Sequence, residues 1–105
     1  MKPLLVMTNV PDTAMGERIA RVLIDARAAA CVNILAECRS VYRWQGAIET
    51  SNEVPLLIKT TTDAYPRVEQ ILRECHSFAV PEIIAVPIEN GLPAYLDWVA
   101  TETGI

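Results

Sequence analysis

The strands that this sequence predicts are apolar on both faces, and that pattern constrains the fold more than any other feature. Residues 4–7 read Leu-Leu-Val-Met, residues 56–58 read Leu-Leu-Ile and residues 83–86 read Ile-Ile-Ala-Val. Such continuous runs are typical of strands buried on both sides, whereas a sheet with one wet face alternates apolar and polar residues. Only two long amphipathic helices are available, and small α+β units usually place both on one side of the sheet. The other face needs a partner, and a second copy of the chain is the simplest one.

Length and composition agree with a single assembling domain. A chain of 105 residues predicts one domain over residues 1–105. Hydrophobic residues make up 51% and charged residues 21% of the chain, which is more apolar surface than a domain of this size easily buries alone. No run approaches the roughly 18 apolar residues that a membrane span needs, and the first residues lack the pattern of a secretory signal. We therefore expect a cytoplasmic protein without membrane association.

Charge and cysteine content exclude two further classes. The net charge of −4 and a sequence pI near 4.9 argue against a nucleic-acid partner, because such a partner requires a basic face. The three cysteines, Cys31, Cys38 and Cys75, are odd in number and include no Cys-x-x-Cys pair. In a reducing compartment this pattern does not predict a disulfide framework.

The predicted elements follow the order β-α-β-β-α-β-α. Apolar residues at helical spacing predict one helix after Asp12, a second from about residue 62 to Cys75, and a short third helix after Pro93. Strands are expected over residues 3–8, 31–44, 47–61 and 82–88, with a hairpin turn at Gln45-Gly46. Pro55 cannot donate to a ladder, so its strand should have an exposed edge or a bulge there. This order predicts an α+β fold, the ferredoxin-like βαββαβ sandwich with an extra C-terminal helix.

Short motifs, each weak alone, follow one another in a specific order along nearly the whole chain. They are Pro11-Asp12, Ala29-Ala30-Cys31-Val32-Asn33-Ile34, Tyr42-Arg43-Trp44-Gln45-Gly46-Ala47-Ile48-Glu49, Glu53-Val54, Ile58-Lys59-Thr60, His76, Val80-Pro81-Glu82-Ile83-Ile84-Ala85 and Tyr95-Leu96-Asp97-Trp98. In this order they resemble the CutA family of divalent-cation tolerance proteins. The resemblance implies a ferredoxin-like subunit, a tightly packed homotrimer similar to the PII signalling proteins, and an association with copper and other metal ions.

The sequence departs from the family pattern at two places that bear on metal binding. Thr8 stands where some members carry a cysteine that resembles a metal ligand. Ser77-Phe78-Ala79 replaces a stretch after the histidine that is usually Pro-Tyr-Glu or similar. Neither departure changes the residues that predict the fold.

Cys75 and His76 form the only adjacent pair of good transition-metal ligands in the chain. A thiolate with an imidazole suits Cu(I) or Zn(II), and Cys75 replaces one member of a histidine pair in the matching relatives. A closed site needs three or four ligands, so the trimer or water would supply the rest. The alternative is structural, with Cys75 in the core and His76 either at the surface or hydrogen-bonded.

A second constellation could form a cleft between subunits. Its members combine a cation and a carboxylate at strand ends with aromatic walls that could orient a small polar ligand. They are Trp44, Lys59, Glu82, Tyr95 and Trp98. The alternative is a salt bridge with packed aromatic side chains at the trimer interface.

The other two cysteines are weaker candidates for chemistry. Cys31 could act as a nucleophile if His76 served as its base, but a buried inert thiol is the commoner situation. Cys38 lies in the polar stretch Glu37-Cys38-Arg39 and is not expected to be a ligand. No acid–base pair has a clear role, so we do not predict an enzyme.

Two functions therefore follow from the sequence. The first is a trimeric divalent-cation tolerance protein that binds metal ions, copper foremost, in the response to metal ions. The alternative is a PII-like sensor or signalling adaptor with a small molecule in an intersubunit cleft.

Overall fold

The computed structural model describes residues 1–104, and it confirms the predicted order of elements. The strands are β1 (Pro3–Val10), β2 (Cys31–Ile34), β3 (Cys38–Trp44), β4 (Ala47–Thr61) and β5 (Ile84–Pro87). The helices are α1 (Thr13–Asp25), α2 (Tyr65–Cys75) and α3 (Pro93–Thr103). The antiparallel sheet has the order β2-β4-β1-β5, and β3 continues the β2 edge alongside β4. With two helices on one face, this is the ferredoxin-like α+β arrangement, and α3 is the extra C-terminal helix.

The long extended stretch before the hairpin turn is interrupted, and Pro55 explains where. From Ile34 to Cys38 the chain advances four residues, while their partners Leu56 and Glu53 are only three apart. One residue is therefore extra on the β2–β3 side, as in a bulge. The Leu35 amide donates to the Pro55 carbonyl at 3.0 Å, but proline has no N–H to return the bond. The sequence predicted an irregularity at Pro55, and one is present there, but the extra residue lies in the opposite stretch between Ile34 and Cys38 and β4 itself is continuous.

The β3–β4 hairpin closes on a two-residue turn. Gln45 and Gly46 have φ values of 50° and 82°, which give the turn the twist that tight hairpins require. Beyond the bulge Val41 and Ile48 are about two-thirds exposed, so the described helices leave these side chains uncovered. The hairpin is thus an apolar arm that extends past the packed part of the domain.

Helices α1 and α2 cover one face of the sheet. Even-numbered residues of β1 and β4 point into this core, and they meet apolar helix residues spaced three or four apart. The buried cluster includes Val6, Val10, Leu56, Ile58, Ile19, Leu23, Val68 and Leu72. At Gly16 an added Cβ would lie 3.2 Å from the Leu56 side chain, so glycine lets α1 approach the sheet closely.

The opposite face carries the odd-numbered residues of β1 and β4 together with the even-numbered residues of β5 that pair with them, and it is only partly covered. Leu5, Met7 and Leu57 are half-buried, while Ile84 and Val86 on the edge strand β5 are 49% and 41% exposed. Among the three described helices, α3 is the one that contacts this side, through β4 and β1. The predicted contrast between a covered and an uncovered apolar face is therefore present in a single chain.

Two arginines hold the C-terminal end of α3. Arg27 adopts a left-handed conformation, with φ at 57°, directly after α1, and its guanidinium donates to the carbonyls of Thr101 and Gly104, both at 2.8 Å. Arg67 donates to the carbonyls of Arg27 at 2.8 Å and Thr103 at 3.3 Å. Since the last carbonyls of a helix have no partner within it, these cations cap α3 and fix its position.

Candidate functional site

His76 is held rigidly at the point where α2 ends. Its ring is 9% exposed, and its Nε2 lies 2.5 Å from the carbonyl oxygen of Asn9. Because a carbonyl only accepts, the proton is on Nε2 and the lone pair is on Nδ1. The backbone amide of Phe78 donates to that Nδ1 at 3.2 Å, and the two rings pack at a centroid distance of 4.6 Å.

Cys75 is the last residue of α2, and its side chain is exposed with a free thiol. Cys75 is therefore outside the core of the single chain, contrary to the structural alternative, whereas His76 is hydrogen-bonded as that alternative allowed, and largely buried. Within residues 1–104 no group of three or more His, Cys, Asp or Glu side chains is arranged to hold a metal ion. A metal held by Cys75 and His76 would need its remaining ligands from water or another chain.

Asn9 connects His76 to Glu82. The Asn9 carbonyl accepts from the imidazole, and its side-chain Nδ2 donates to Glu82 Oε1 at 3.1 Å. One residue of β1 thus ties together the end of α2 and the start of the segment that leads into β5. Asn9 was not predictable from the sequence, because a backbone carbonyl leaves no signal in residue identity.

A groove of about 730 Å³ lies between the hairpin arm and residues 77–82. Trp44 stands on the arm side, and Phe78, Val80 and Glu82 stand on the other side. The exposed apolar wall could pack a neighbouring chain or an apolar ligand, while Glu82 supplies a polar group. Two of the five predicted cleft residues, Trp44 and Glu82, therefore share one groove.

The other three cleft residues gather at the far end of the sheet. Lys59 Nζ donates to Asn33 Oδ1 across the β2–β4 pair. The rings of Tyr95 and Trp98 on α3 lie 5.6 Å apart. A single chain thus divides the predicted cleft into two places, and no Lys59–Glu82 salt bridge forms within its described residues, since Glu82 binds Asn9 instead. The intersubunit cleft stays a prediction.

Cys31 belongs to this second group and is distant from His76. It lies directly opposite Lys59 in the register, whereas His76 binds Asn9, which lies opposite Pro55 on the same strand β4. Four residues of a strand span about 13 Å, so Cys31 and His76 do not form a nucleophile–base pair within one chain. The two residues meet the sheet at opposite ends, which agrees with the expectation that no catalytic pair is present there.

The pKa of Tyr95 is affected by burial and by Cys31. Burial raises the pKa of its phenol above 10.0, and the charge and hydrogen bonding of the neighbouring Cys31 sulfur raise it further. The Cys31 sulfur also lies 4.0 Å from Asn33 Oδ1, the atom that Lys59 contacts. A thiol, an ammonium, a carboxamide and a phenol therefore meet over β2, β4 and α3.

These features define a class of protein: a small ferredoxin-like α+β subunit with one partly covered apolar sheet face and a long hairpin arm. Within residues 1–104 no helix is long and apolar enough to span a membrane. A model of the CutA1 divalent ion tolerance protein family matches residues 4–102. The chain belongs to this family, as its motifs predicted.

Curated relatives support the assignment. The divalent-cation tolerance protein CutA of Thermus thermophilus is 43% identical over 100 residues, covering 95% of this chain and 97% of that protein. Human protein CutA is 39% identical over 93 residues, covering 89% of this chain but 52% of the human protein. The chain therefore spans about half of the human relative. These names describe a tolerance protein or the family alone, and neither names an enzyme.

Solved structures show the same fold. The Cut A1 structure from Thermus thermophilus has a TM-score of 0.95 at 42% identity, covering 97% of this chain and 99% of that chain. CutA from Xylella fastidiosa also has a TM-score of 0.95 at 42% identity, covering 99% and 100% of the two chains. The ferredoxin-like expectation is confirmed over nearly the whole sequence.

Proposed function

We propose that this protein is a homotrimer that binds copper, or another metal ion, through Cys75 Sγ and His76 Nδ1 in the response to metal ions. The observation that carries the proposal is the pairing of an exposed thiol with a histidine whose tautomer is already fixed. Family membership supplies the link to divalent cations.

The hydrogen bond from His76 to Asn9 suits metal binding. Histidines that ligate metals usually donate their other ring N–H to a carbonyl or carboxylate, which fixes the tautomer and the ring direction. Here the Asn9 carbonyl takes that role at Nε2, so Nδ1 is the ligating atom. Its present partner, the Phe78 amide at 3.2 Å, must turn away when a metal binds.

The two ligands select the metal by softness. A thiolate favours Cu(I), and an imidazole binds copper and zinc alike, so the pair prefers copper over magnesium or calcium. The thiol must lose its proton to bind a metal, and protons compete with the metal for both the thiolate and the Nδ1 lone pair, so affinity should fall as the pH drops. With Thr8 in the strand where some relatives offer a cysteine, further ligands come from water or a neighbouring subunit.

The uncovered sheet face supports assembly into a trimer. Leu5, Met7, Leu57, Ile84 and Val86 form an apolar surface on the side that α1 and α2 do not cover. Exposed apolar surfaces of this kind mark interfaces, and copies of the chain arranged around a symmetry axis could bury this face together. The trimeric number, like a cytoplasmic location, stays an expectation from the sequence.

Copper competition tests the metal site. A calibrated Cu(I) chelator is titrated against the wild type, Cys75→Ala, His76→Ala and Cys38→Ala, with every sample kept reduced. We expect at least a tenfold loss of affinity in the first two variants, since a site with two side chains has no redundancy. Cys38→Ala is the matched control and should retain wild-type affinity. Equal affinity in all four proteins would overturn the site.

The groove of about 730 Å³ favours a second candidate function, a PII-like sensor or signalling adaptor. Its volume suits a small organic ligand, and Trp44 could stack on a ring while Glu82 orients a polar group. Native mass spectrometry with a panel of nucleotides and metabolites tests this alternative. Retention of one compound by the wild type, and its loss in Trp44→Ala, would support it. No retained compound in the panel would count against it.

A further inference from the structure

The three free thiols of this chain lie in three different electrostatic settings. Cys31 is directly opposite Lys59 in the β2–β4 pair, and Cys38 is directly opposite Glu53 in the β3–β4 pair. Cys75 ends α2, where the helix dipole places partial negative charge. Residues opposite each other in an antiparallel pair point to the same face, with Cβ atoms about 5 Å apart. Of the three thiols, Cys31 is therefore the one that faces a cation across its strand pair.

The surroundings of Cys31 form a small polar site on a half-buried face. Lys59 and the Cys31 sulfur both approach the same atom, Asn33 Oδ1, the sulfur at 4.0 Å. Burial and the Cys31 sulfur raise the pKa of Tyr95, and the Tyr95 and Trp98 rings pack with their centroids 5.6 Å apart. The chain has only two lysines, Lys59 opposite Cys31 and Lys2, which is not paired with any cysteine-bearing strand and can serve as a control.

We propose that Cys31 is an oxidant-sensitive thiol whose reaction with small hydroperoxides is promoted by Lys59. The thiolate is the nucleophile in such reactions, and a nearby ammonium stabilises the negative charge that develops on sulfur. Glu53 opposes that charge at Cys38, and the helix C-terminus opposes it at Cys75. The more exposed Cys75 should therefore react more slowly than the half-buried Cys31.

The reaction is a two-electron oxidation that ends at the sulfenic acid. The sulfur attacks the distal oxygen of the hydroperoxide, an S–O bond forms and the O–O bond breaks. The thiol proton ends on the departing oxygen, so a thiol and a hydroperoxide give a sulfenic acid and an alcohol, or water from hydrogen peroxide. Lys59 stabilises the negative charge on sulfur and does not itself react, so it is a positioning residue. The proposal is independent of metal binding, since Cys31 is not a proposed ligand.

Site-resolved trapping tests the proposal on the full-length protein. The native protein is treated with limiting hydrogen peroxide in the presence of a metal chelator, and sulfenic acid is trapped with a 1,3-diketone probe. Peptide mass spectrometry then quantifies the adduct at each cysteine. We expect Cys31 to carry at least fivefold more adduct than Cys38 or Cys75. The preference should disappear in urea, where all three thiols are equally accessible.

Lysine variants separate the role of charge from that of packing. Lys59→Met should reduce the Cys31 adduct at least fivefold, while Lys59→Arg should retain most of it because the charge is kept. Lys2→Met is the matched control and should leave all three thiols unchanged. Circular dichroism shows whether each variant is folded. If Lys59→Met does not fold, Lys59→Arg still tests the proposal, because it keeps the charge. Dominant labelling of Cys75, or equal labelling in Lys59→Arg and a folded Lys59→Met, would overturn the proposal.

Discussion

The two faces of the sheet differ although their sequences are almost equally apolar. On one side α1 and α2 bury the even-numbered residues of β1 and β4 that face the core. On the other side the odd-numbered residues are half-buried, and α3 is the described helix that contacts them. Adjacent leucines show the contrast most clearly, since Leu56 is fully buried and Leu57 is not. Hydrophobicity alone therefore does not determine burial; the strand register and the number of available helices do.

Truncating the covered face should have the largest effect on stability. Leu56→Ala removes a fully buried side chain that packs beside Gly16, and the rigid sheet cannot collapse into the cavity. We expect the free energy of unfolding to fall by about 2–5 kcal/mol in urea denaturation. Leu57→Ala is the matched control on the opposite face and should cost less at low protein concentration. Equal losses in the two variants would contradict the contrast between the faces.

Releasing α3 should have the next largest effect. Arg67→Met removes the hydrogen bonds to the carbonyls of Arg27 and Thr103, and we expect a loss of about 1–2 kcal/mol. Hydrogen exchange should then accelerate in α3 more than in α1, because the cap that holds α3 against the partly covered face is lost. Arg73→Met lies on the exposed side of α2 and serves as the control, with little expected change. Equal exchange in α3 of both variants would show that the cap does not hold the helix.

A buried hydroxyl offers a smaller gain in stability. Thr8 Oγ1 is buried without a hydrogen-bond partner among the described residues, whereas Thr60 Oγ1 donates to the Ala28 carbonyl at 2.6 Å. Thr8→Val should stabilise the protein by about 1 kcal/mol, since it removes an unsatisfied polar group without changing the shape. Thr60→Val is the matched change on the same face and should destabilise it by a similar amount. Thermal unfolding monitored by circular dichroism measures both, and a loss in Thr8→Val would show that its hydroxyl is satisfied.

The smallest expected effect is alkaline destabilisation through the tyrosines. Burial raises the pKa of Tyr95 beside the second face, and burial with the Glu69 carboxylate raises the pKa of Tyr65 on α2. A phenol with a raised pKa stabilises the fold fully below pH 10.0, and that stabilisation is lost as the pH rises through the folded value. Tyr95→Phe should therefore lose less stability than the wild type between about pH 9 and 11. Identical pH dependence of stability in the wild type and Tyr95→Phe would show that Tyr95 does not contribute to the alkaline destabilisation.

The fold was predictable from the sequence because its signals are local. Apolar periodicity predicted the order of elements, since it depends on neighbouring residues along the chain. Pro55 indicated an irregularity in the sheet, but the break between Ile34 and Cys38 was not predicted, because the pairing register sets its position. The β5 strand is also shorter than expected, as its pairing with β1 runs only from Ile84 to Pro87.

The candidate site was less predictable because its geometry is long-range. Adjacency identified Cys75 and His76, but the bond to Asn9 uses a backbone carbonyl that any residue could offer. The division of the predicted cleft depends on where α3 docks, and two arginine caps determine that position. Sequence spacing contains none of this information.

The mass of the protein in solution shows whether the sheet face that α1 and α2 leave uncovered is an interface between copies. Sedimentation velocity at micromolar concentration should give a species of about three times the 11.6 kDa chain. Leu57→Asp should shift the protein toward smaller species, because assembly would bury a carboxylate on each copy. A folded wild-type monomer that remains monomeric across the micromolar range would contradict the account.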